Sequence, residues 1–259
     1  MTDILKKGRE EFGVLATKAE FEAEGTRTDE LLRLLDIANK ADVDIALKIG
    51  GCEAIRDLLE AKQFGVKFII APMVETPYAL SKYISAKEKV FDAEEKSNMS
   101  FLFNVETETT FKNIDSIITM ASGSPGCNGL VFGRVDYSGS LGKGRNIIES
   151  KEITNVGIAL AEYCKRKNLE FVVGGAVSMD ALPNLRTINE VYLDRFETRK
   201  IVFQSEALNQ KSLDKYLIDA VHFELLWLIN KREYYGLMHK EDESRIEMLE
   251  SRWNILKNT

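Results

Sequence analysis

Cysteine and proline are scarce in this chain of 259 residues, with three of the first and four of the second. The cysteines, Cys52, Cys127 and Cys164, are odd in number and widely spaced. That argues against a disulfide framework and for a reducing, cytoplasmic setting. No strongly basic tract appears and the net charge is −6, which speaks against a nucleic-acid partner. The opening stretch MTDILKKGREEFG has no apolar signal core, and no hydrophobic run reaches membrane-spanning length, so no membrane partner is expected either. Hydrophobic residues make up 44% and charged residues 29%. A chain of this size and composition can bury a large core without disulfides or a structural metal.

What is present is alternation. Short apolar runs predict strands at 13–22, 44–50, 68–75, 100–106, 129–136, 170–176 and 191–196, with an eighth at 199–203. Helical patterns fall between them near 28–41, 53–64, 77–88, 108–121, 151–167 and 179–186. Strand–helix alternation at this spacing predicts parallel βαβ units. Seven or eight units favour an α/β fold of the (β/α)8 TIM-barrel type with additional C-terminal helices, and an open doubly wound sheet is the alternative. The barrel is expected over 1–205 and a helical extension over 206–259. Within the extension, a long pattern at 206–235 carries Leu217, Val221, Leu225 and Leu228, and a second, charged helix is expected at 240–256. Such helices pack on their own barrel or on a neighbouring subunit. A homo-oligomer, trimer or hexamer, formed through them is therefore expected.

In a barrel both faces of each strand are covered, so a charged strand residue is costly unless it reaches the mouth, where barrel active sites lie. The two-residue period assigns faces. It sets Lys18, Glu20 and Glu22 opposite Ala19, Phe21 and Ala23, and Lys48 opposite Leu47 and Ile49, just before Gly50-Gly51. It groups Asn104 with Glu106, Arg134 with Asp136, and Arg195 with Glu197 and Arg199. Singly, each charge can be a salt-bridged strand end. Together they describe a polar pocket for an anionic small molecule, with or without a cation. The Val-Glu-Thr triplet occurs twice, at 74–76 and 105–107. Thr76 before Pro77 and Thr107 before Glu108 read as helix N-caps, so the repeat is largely the grammar of a strand ending and a helix starting.

The block NVETETTFKNIDSII (104–118), followed by GLVFGRVDYSGSLG (129–142), resembles the HpcH/HpaI aldolase and citrate lyase β-subunit family, and APMVETPYAL (71–80) is similar to its preceding strand. The resemblance covers about 13–205 and implies a phosphoenolpyruvate/pyruvate-binding TIM barrel. It implies that Glu106 and Asp136 bind a divalent metal, Mg2+ or Mn2+ or another divalent cation. Two inward carboxylates on adjacent strand ends suit a hard cation completed by water and a chelating oxo acid. Gly133, Arg134 and Ser138, with the 138–142 turn, would hold the substrate carboxylate, beside Lys18. Glu75 would be a neighbour of the metal site or face the substrate. Lys48 falls where the family places an arginine that stabilises an enolate oxygen, and Ala23 falls where its histidine base would stand. The only histidines are His222 and His239, both in the tail. Glu20 or Glu22, working through a water, is then the candidate base, and Lys48, Glu20 and Glu22 form the expected catalytic set. The function implied is a metal-dependent carbon–carbon lyase, aldolase or synthase acting through a pyruvate- or oxaloacetate-type enolate. The alternatives are a barrel that binds oxo acids without turnover, a phosphoenolpyruvate-dependent enzyme, and Schiff-base chemistry at Lys18 or Lys48.

Overall fold

The computed structural model describes residues 1–257. Eight strands close into one barrel in sequence order. They are β1 (Val14–Glu20), β2 (Asp44–Lys48), β3 (Phe68–Ala71), β4 (Ser100–Val105), β5 (Gly129–Gly133), β6 (Glu170–Gly174), β7 (Arg195–Glu197) and β8 (Ile201–Gln204). β1 to β7 run parallel, but β8 is antiparallel to both β7 and β1. This departs from an all-parallel barrel. A parallel neighbour needs a crossover of about a dozen residues or more, and only Thr198–Lys200 separates β7 from β8. A hairpin is what that length permits. It closes through the Thr198 amide donating to the Ile201 carbonyl at 2.9 Å and the Ile201 amide donating to Thr198 Oγ1 at 3.1 Å. The reversal carries Thr198, Arg199 and Lys200 to the barrel mouth.

The two-residue period divides the core. Ile45, Leu47, Ile69, Phe101, Phe103, Phe132, Phe171 and Phe203 face outward into one large cluster shared with the helices. Ala16, Ala46, Phe68, Ile70, Leu102, Val131, Val172 and Val202 form a separate plug inside the barrel. Each large side chain so buried contributes about 1.5–3 kcal/mol. Two residues on from the plug, the inward positions become Lys18, Lys48, Asn104, Gly133 and Gly174. The plug is the floor of the cavity and these residues are its wall.

Eleven α-helices accompany the strands among the described residues. α1 (Thr2–Phe12), not foreseen from the sequence, ends at Gly13 in the left-handed region. α2 (Thr28–Ala41), α3 (Ile55–Gln63), α4 (Pro77–Val90) and α5 (Ala93–Ser97) follow. The helix expected at 108–121 is split at Asn113 into α6 (Glu108–Lys112) and α7 (Ile114–Ala121). α8 (Arg134–Ser140), α9 (Lys151–Lys167) and α10 (Leu182–Asn189) complete the barrel. Thr76 accepts the Ala79 amide with Pro77 in the first turn, and Thr107 accepts the Thr110 amide, so both threonines are N-caps. The two helices expected in the tail are one, α11 (Leu213–Lys257), which passes through Gly236 without a break. Tyr216 of α11 stacks on Phe12 at 4.7 Å and donates its hydroxyl to the Ile4 carbonyl at 2.8 Å, joining the tail to α1. Among the described residues no helix is long and apolar enough to cross a membrane.

Candidate active site at the barrel mouth

The C-terminal ends of the parallel strands open into a cavity of about 880 Å³ lined by seven carboxylates and six cationic side chains. At its base Glu106 is 1% exposed. Its Oε1 accepts the Met73 amide at 2.8 Å, and its Oε2 accepts Asn104 Nδ2 at 2.6 Å and Lys48 Nζ at 3.3 Å. The alternation along β4 puts Asn104 and Glu106 on one face. Gly133 on β5 makes the room, since a Cβ there would stand 2.9 Å from the Glu106 Cβ. Met73 has φ +51°, left-handed for a residue with a side chain, at a cost of about 1–2 kcal/mol. Its amide is what that conformation delivers to Glu106. Lys48 also reaches Glu22 at 2.9 Å. Burial pulls the Lys48 ammonium down in pKa, but Glu106 and Glu22 outweigh it and the net shift is upward.

A second ion-pair cluster faces the first. Lys18 is in hydrogen-bond contact with Glu197 and lies 3.5 Å from Glu20. Burial works against its charge, but Glu197 and Glu20 raise its pKa. Glu20 is pushed up by burial and pulled further down by Lys18 and Lys48, so it stays below its ordinary range. Gly174 leaves the space for Glu197, because a Cβ there would approach Glu197 Oε1 to 2.9 Å. Above them Lys200, 2% exposed, pairs with Glu24 and donates to the Lys18 carbonyl at 3.3 Å. Its pKa is lowered, first by burial and only partly restored by Glu24. Charged lysines are poor amine nucleophiles, so the upward shifts of Lys18 and Lys48 oppose Schiff-base chemistry there.

Lys18, Glu20, Glu22, Lys48, Glu106, Gly133 and Asp136 all line this cavity; Arg134, Ser138 and Glu75 do not. The reason for the first two is that β5 ends at Gly133 and α8 begins at once, so the strand is three residues shorter than expected. Arg134 turns away from the cavity, to the Glu149 carboxylate at 3.0 Å and the Gly175 carbonyl at 2.8 Å. Ser138 is fully buried, and its hydroxyl donates to the Arg134 carbonyl one helical turn back at 2.8 Å. Of the stretch 138–142, residues to Ser140 belong to the helix and 141–142 form the turn that ends it. Val131 and Gly133, of the opposite parity to Arg134 and Asp136, are the β5 residues that face the interior. Asp136 reaches the mouth from the first turn of α8 rather than from the strand. Glu75 accepts the Thr107 hydroxyl at 2.8 Å, which makes it a neighbour of Glu106 through the helix cap and not a cavity residue. After β2, the anion facing the Gly50 amide is the chain's own Asp57, at 2.6 Å.

Glu24, Lys200 and Arg145 also line the cavity and were not singled out from the sequence; Glu197, grouped there only by its parity with Arg195 and Arg199, joins them. Glu24 and Lys200 sit on loops and Arg145 opens a short 3-10 helix, where no strand period applies.

Among the described residues no group of three or more histidine, cysteine or acidic side chains forms a ready cation cage. A Mg2+-type ion needs only one or two protein carboxylates. Asp136, exposed on the cavity wall, has no hydrogen bond or ion pair among the described residues. Glu106 spends three of the roughly four acceptor positions of a carboxylate. Beside it the buried Asn104 Oδ1 accepts no hydrogen bond. A buried oxygen acceptor without a donor is costly, and a hard cation or its bound water relieves that cost. The donor set fits a divalent metal.

The family model described as HpcH/HpaI aldolase/citrate lyase matches residues 26–180. No protein of curated function matches the chain. Among solved structures, an HpcH/HpaI aldolase from Desulfitobacterium hafniense DCB-2 is 15% identical with a TM-score of 0.60, over 86% of this chain and 87% of that one. An HpcH/HpaI aldolase/citrate lyase family protein from Burkholderia cenocepacia J2315 is 12% identical with a TM-score of 0.62, over 89% and 91%. A citrate synthase variant is 13% identical with a TM-score of 0.57, over 90% of each. At such identities these likenesses speak to the barrel alone. The family match takes in β2 to β6, with Lys48, Glu106 and Asp136, and leaves out β1 and the β7–β8 hairpin, with Lys18, Glu20, Glu197 and Lys200. Spanning more than half of the sequence, it shows that the chain belongs to the HpcH/HpaI aldolase/citrate lyase family.

Proposed function

We propose that the protein is a divalent-metal-dependent carbon–carbon lyase, aldolase or synthase acting through the enolate of a small anionic 2-oxo acid of the pyruvate or oxaloacetate type. The observation that carries this reading is the buried Glu106, touched by the charged Lys48 and sharing one cavity with the unpaired Asp136. Glu106 and Asp136 would hold Mg2+ or Mn2+, which supplies polarisation of a bound ketone. The rest falls to the chain. Lys48, held charged by Glu106 and Glu22, stands ready to balance negative charge developing on an enolate oxygen. As a point charge it does so without the two-pronged grip of an arginine. Arg145 and Arg199 line the same cavity and suit the substrate carboxylate.

Among the described residues no histidine lines the cavity, and a carboxylate is the group we assign to the proton. Glu22 suits this better than Glu20. Both are ion-paired, Glu22 with Lys48 at 2.9 Å and Glu20 with Lys18 at 3.5 Å, but the Glu22 side chain is 26% exposed against 10% for Glu20. A water between Glu22 and the substrate carbon would complete the path. The three free cysteines fit the cytoplasm as the setting. The missing histidine also favours a second reading, an oxo-acid-binding barrel without turnover. Calorimetric titration with oxalate, an enolate mimic, tests the site itself. Binding should tighten on adding Mn2+ in the wild type and lose that dependence in Asp136→Ala. Equal oxalate affinity with and without Mn2+, or a metal dependence that survives in Asp136→Ala, would refute the metal site.

A further inference from the structure

α8 is seven residues long, holds two serines and a glycine, and has no side-chain cap at its start. A helix that short has no stability of its own, so contacts outside it must fix where it lies. It carries Asp136, which is exposed on the cavity wall. Among the described residues, Asp136 is the one carboxylate of the seven lining the cavity that has no ion-pair partner. Nothing bound to its own side chain aims it. Its direction is set by the residues that bury the other face of the helix, Arg134, Tyr137 and Ser138. Tyr137 makes edge contacts with Phe111 and Phe132, and Ser138 donates within the helix, to the Arg134 carbonyl. The polar anchorage to the rest of the barrel falls to Arg134.

Arg134 uses every nitrogen of its guanidinium. Nη1 donates to both Glu149 oxygens at 3.0 and 3.1 Å, Nη2 to the Gly175 carbonyl at 2.8 Å, and Nε to the Gly174 carbonyl at 3.4 Å. Glu149 is itself held, its Oε2 accepting Asn184 Nδ2 at 2.7 Å. Gly174 and Gly175 both line the cavity. The loop after β6 lies directly on the start of α8. A Cβ on Gly175 would stand 2.8 Å from the Val135 amide nitrogen and 2.9 Å from that of Arg134, and its φ of +87° is one that glycine takes freely. One buried fork thus ties together two walls of the cavity, the helical turn that carries Asp136 and the loop that follows β6. A lysine would keep the charge and lose the fork.

We propose, on the metal reading given above, that Arg134 is a positioning residue. Through its grip on Glu149, Gly174 and Gly175 it fixes the first turn of α8 and so holds Asp136 where it can share a divalent cation with Glu106. Arg134 itself touches neither the cation nor the substrate. Removing a group that orients a metal ligand in this way typically costs about 10–100-fold in metal affinity.

The test is the Mn2+ affinity of the full chain, read from the free-ion signal by electron paramagnetic resonance. Wild type should bind Mn2+, and Asp136→Ala should lose most of that affinity. Arg134→Met should weaken binding about 10–100-fold, and Arg134→Lys should weaken it less. Added to Asp136→Ala, Arg134→Met should weaken binding no further, because it acts through Asp136; a merely structural loss would weaken both backgrounds alike. Without metal, hydrogen exchange at the amides of 134–140 and 174–177 should quicken together in Arg134→Met. Glu149→Gln, which leaves Arg134 in place and removes one charge, should reproduce the weakening more mildly, and it carries the test should Arg134→Met fail to fold. Wild-type Mn2+ affinity in Arg134→Met and Glu149→Gln, an equal loss in the Asp136→Ala background, or unchanged exchange in both segments would overturn the proposal and leave the metal site standing. A wild type that binds no Mn2+ would overturn the metal site, and the proposal with it.

Discussion

Glu106 and Glu75 follow the same strand-to-helix grammar and end in different places. Glu106 stands two residues beyond Asn104 on an inward face and is clamped by an amide, an amide nitrogen and an ammonium. Glu75 lies four residues beyond the end of β3, where the period no longer applies, and is taken by Thr107. The clamp makes Lys48 the residue to interrogate. Removing an oxyanion-stabilising group typically costs about 10²–10³ in turnover, and Lys48→Ala should show that loss with the fold retained. Lys48→Arg, which keeps the charge, should recover a large part, read as kcat on whichever oxo acid proves to be the substrate.

The pH dependence of Glu20 has a definite sign. Its folded pKa lies below its ordinary 4.5 because Lys18 and Lys48 outweigh burial. It therefore stabilises the fold fully above that ordinary value, and the contribution is lost as pH falls through the lowered folded value. The stability gap between wild type and Glu20→Gln should be largest near neutrality and shrink below the ordinary carboxylate range. Urea titrations at neutral and acidic pH check this.

At the scale of elements, the sequence exposed its strands better than their ends. The parity reading located Lys18, Lys48 and Glu106 because β1, β2 and β4 stay extended through those residues. It failed at β5, where the period changes from two to 3.6 at Gly133. RVDYSGS gives no warning, for the helix it forms starts on a glycine with no side-chain cap. α1 was invisible for a related reason, because its pairing with α11 is a contact across almost the whole chain. That contact is tight. A Cβ on Gly8 would lie 1.9 Å from the Tyr216 hydroxyl. Gly8→Ala should force Tyr216 off Phe12 and cost about 1–3 kcal/mol, as overpacking does, seen as a lower melting temperature. Gly25, whose added Cβ would meet nothing within 4 Å, has a positive φ and is no control. Gly139 on α8, with equal space and no such φ, is. Gly139→Ala should leave the melting temperature unchanged or raise it.

At the scale of the whole molecule, the barrel was legible from alternation alone, while its closing step was not. Three residues between β7 and β8 decide that the last strand reverses. The reversal brings Arg199 and Lys200 to the mouth beside Lys18 and Glu197. The chain thus adds a charged wall from β1 and the hairpin to the part of the barrel that matches its family. Whether this mouth makes an enolate is decided by proton exchange at C3 of pyruvate in deuterated water. The wild type should exchange with Mg2+ or Mn2+ and stop when the metal is chelated. Both Glu106→Ala and Asp136→Ala should lose the exchange. Exchange at the wild-type rate in both variants, or none in the wild type with any divalent cation, would contradict the enolate chemistry proposed for this barrel.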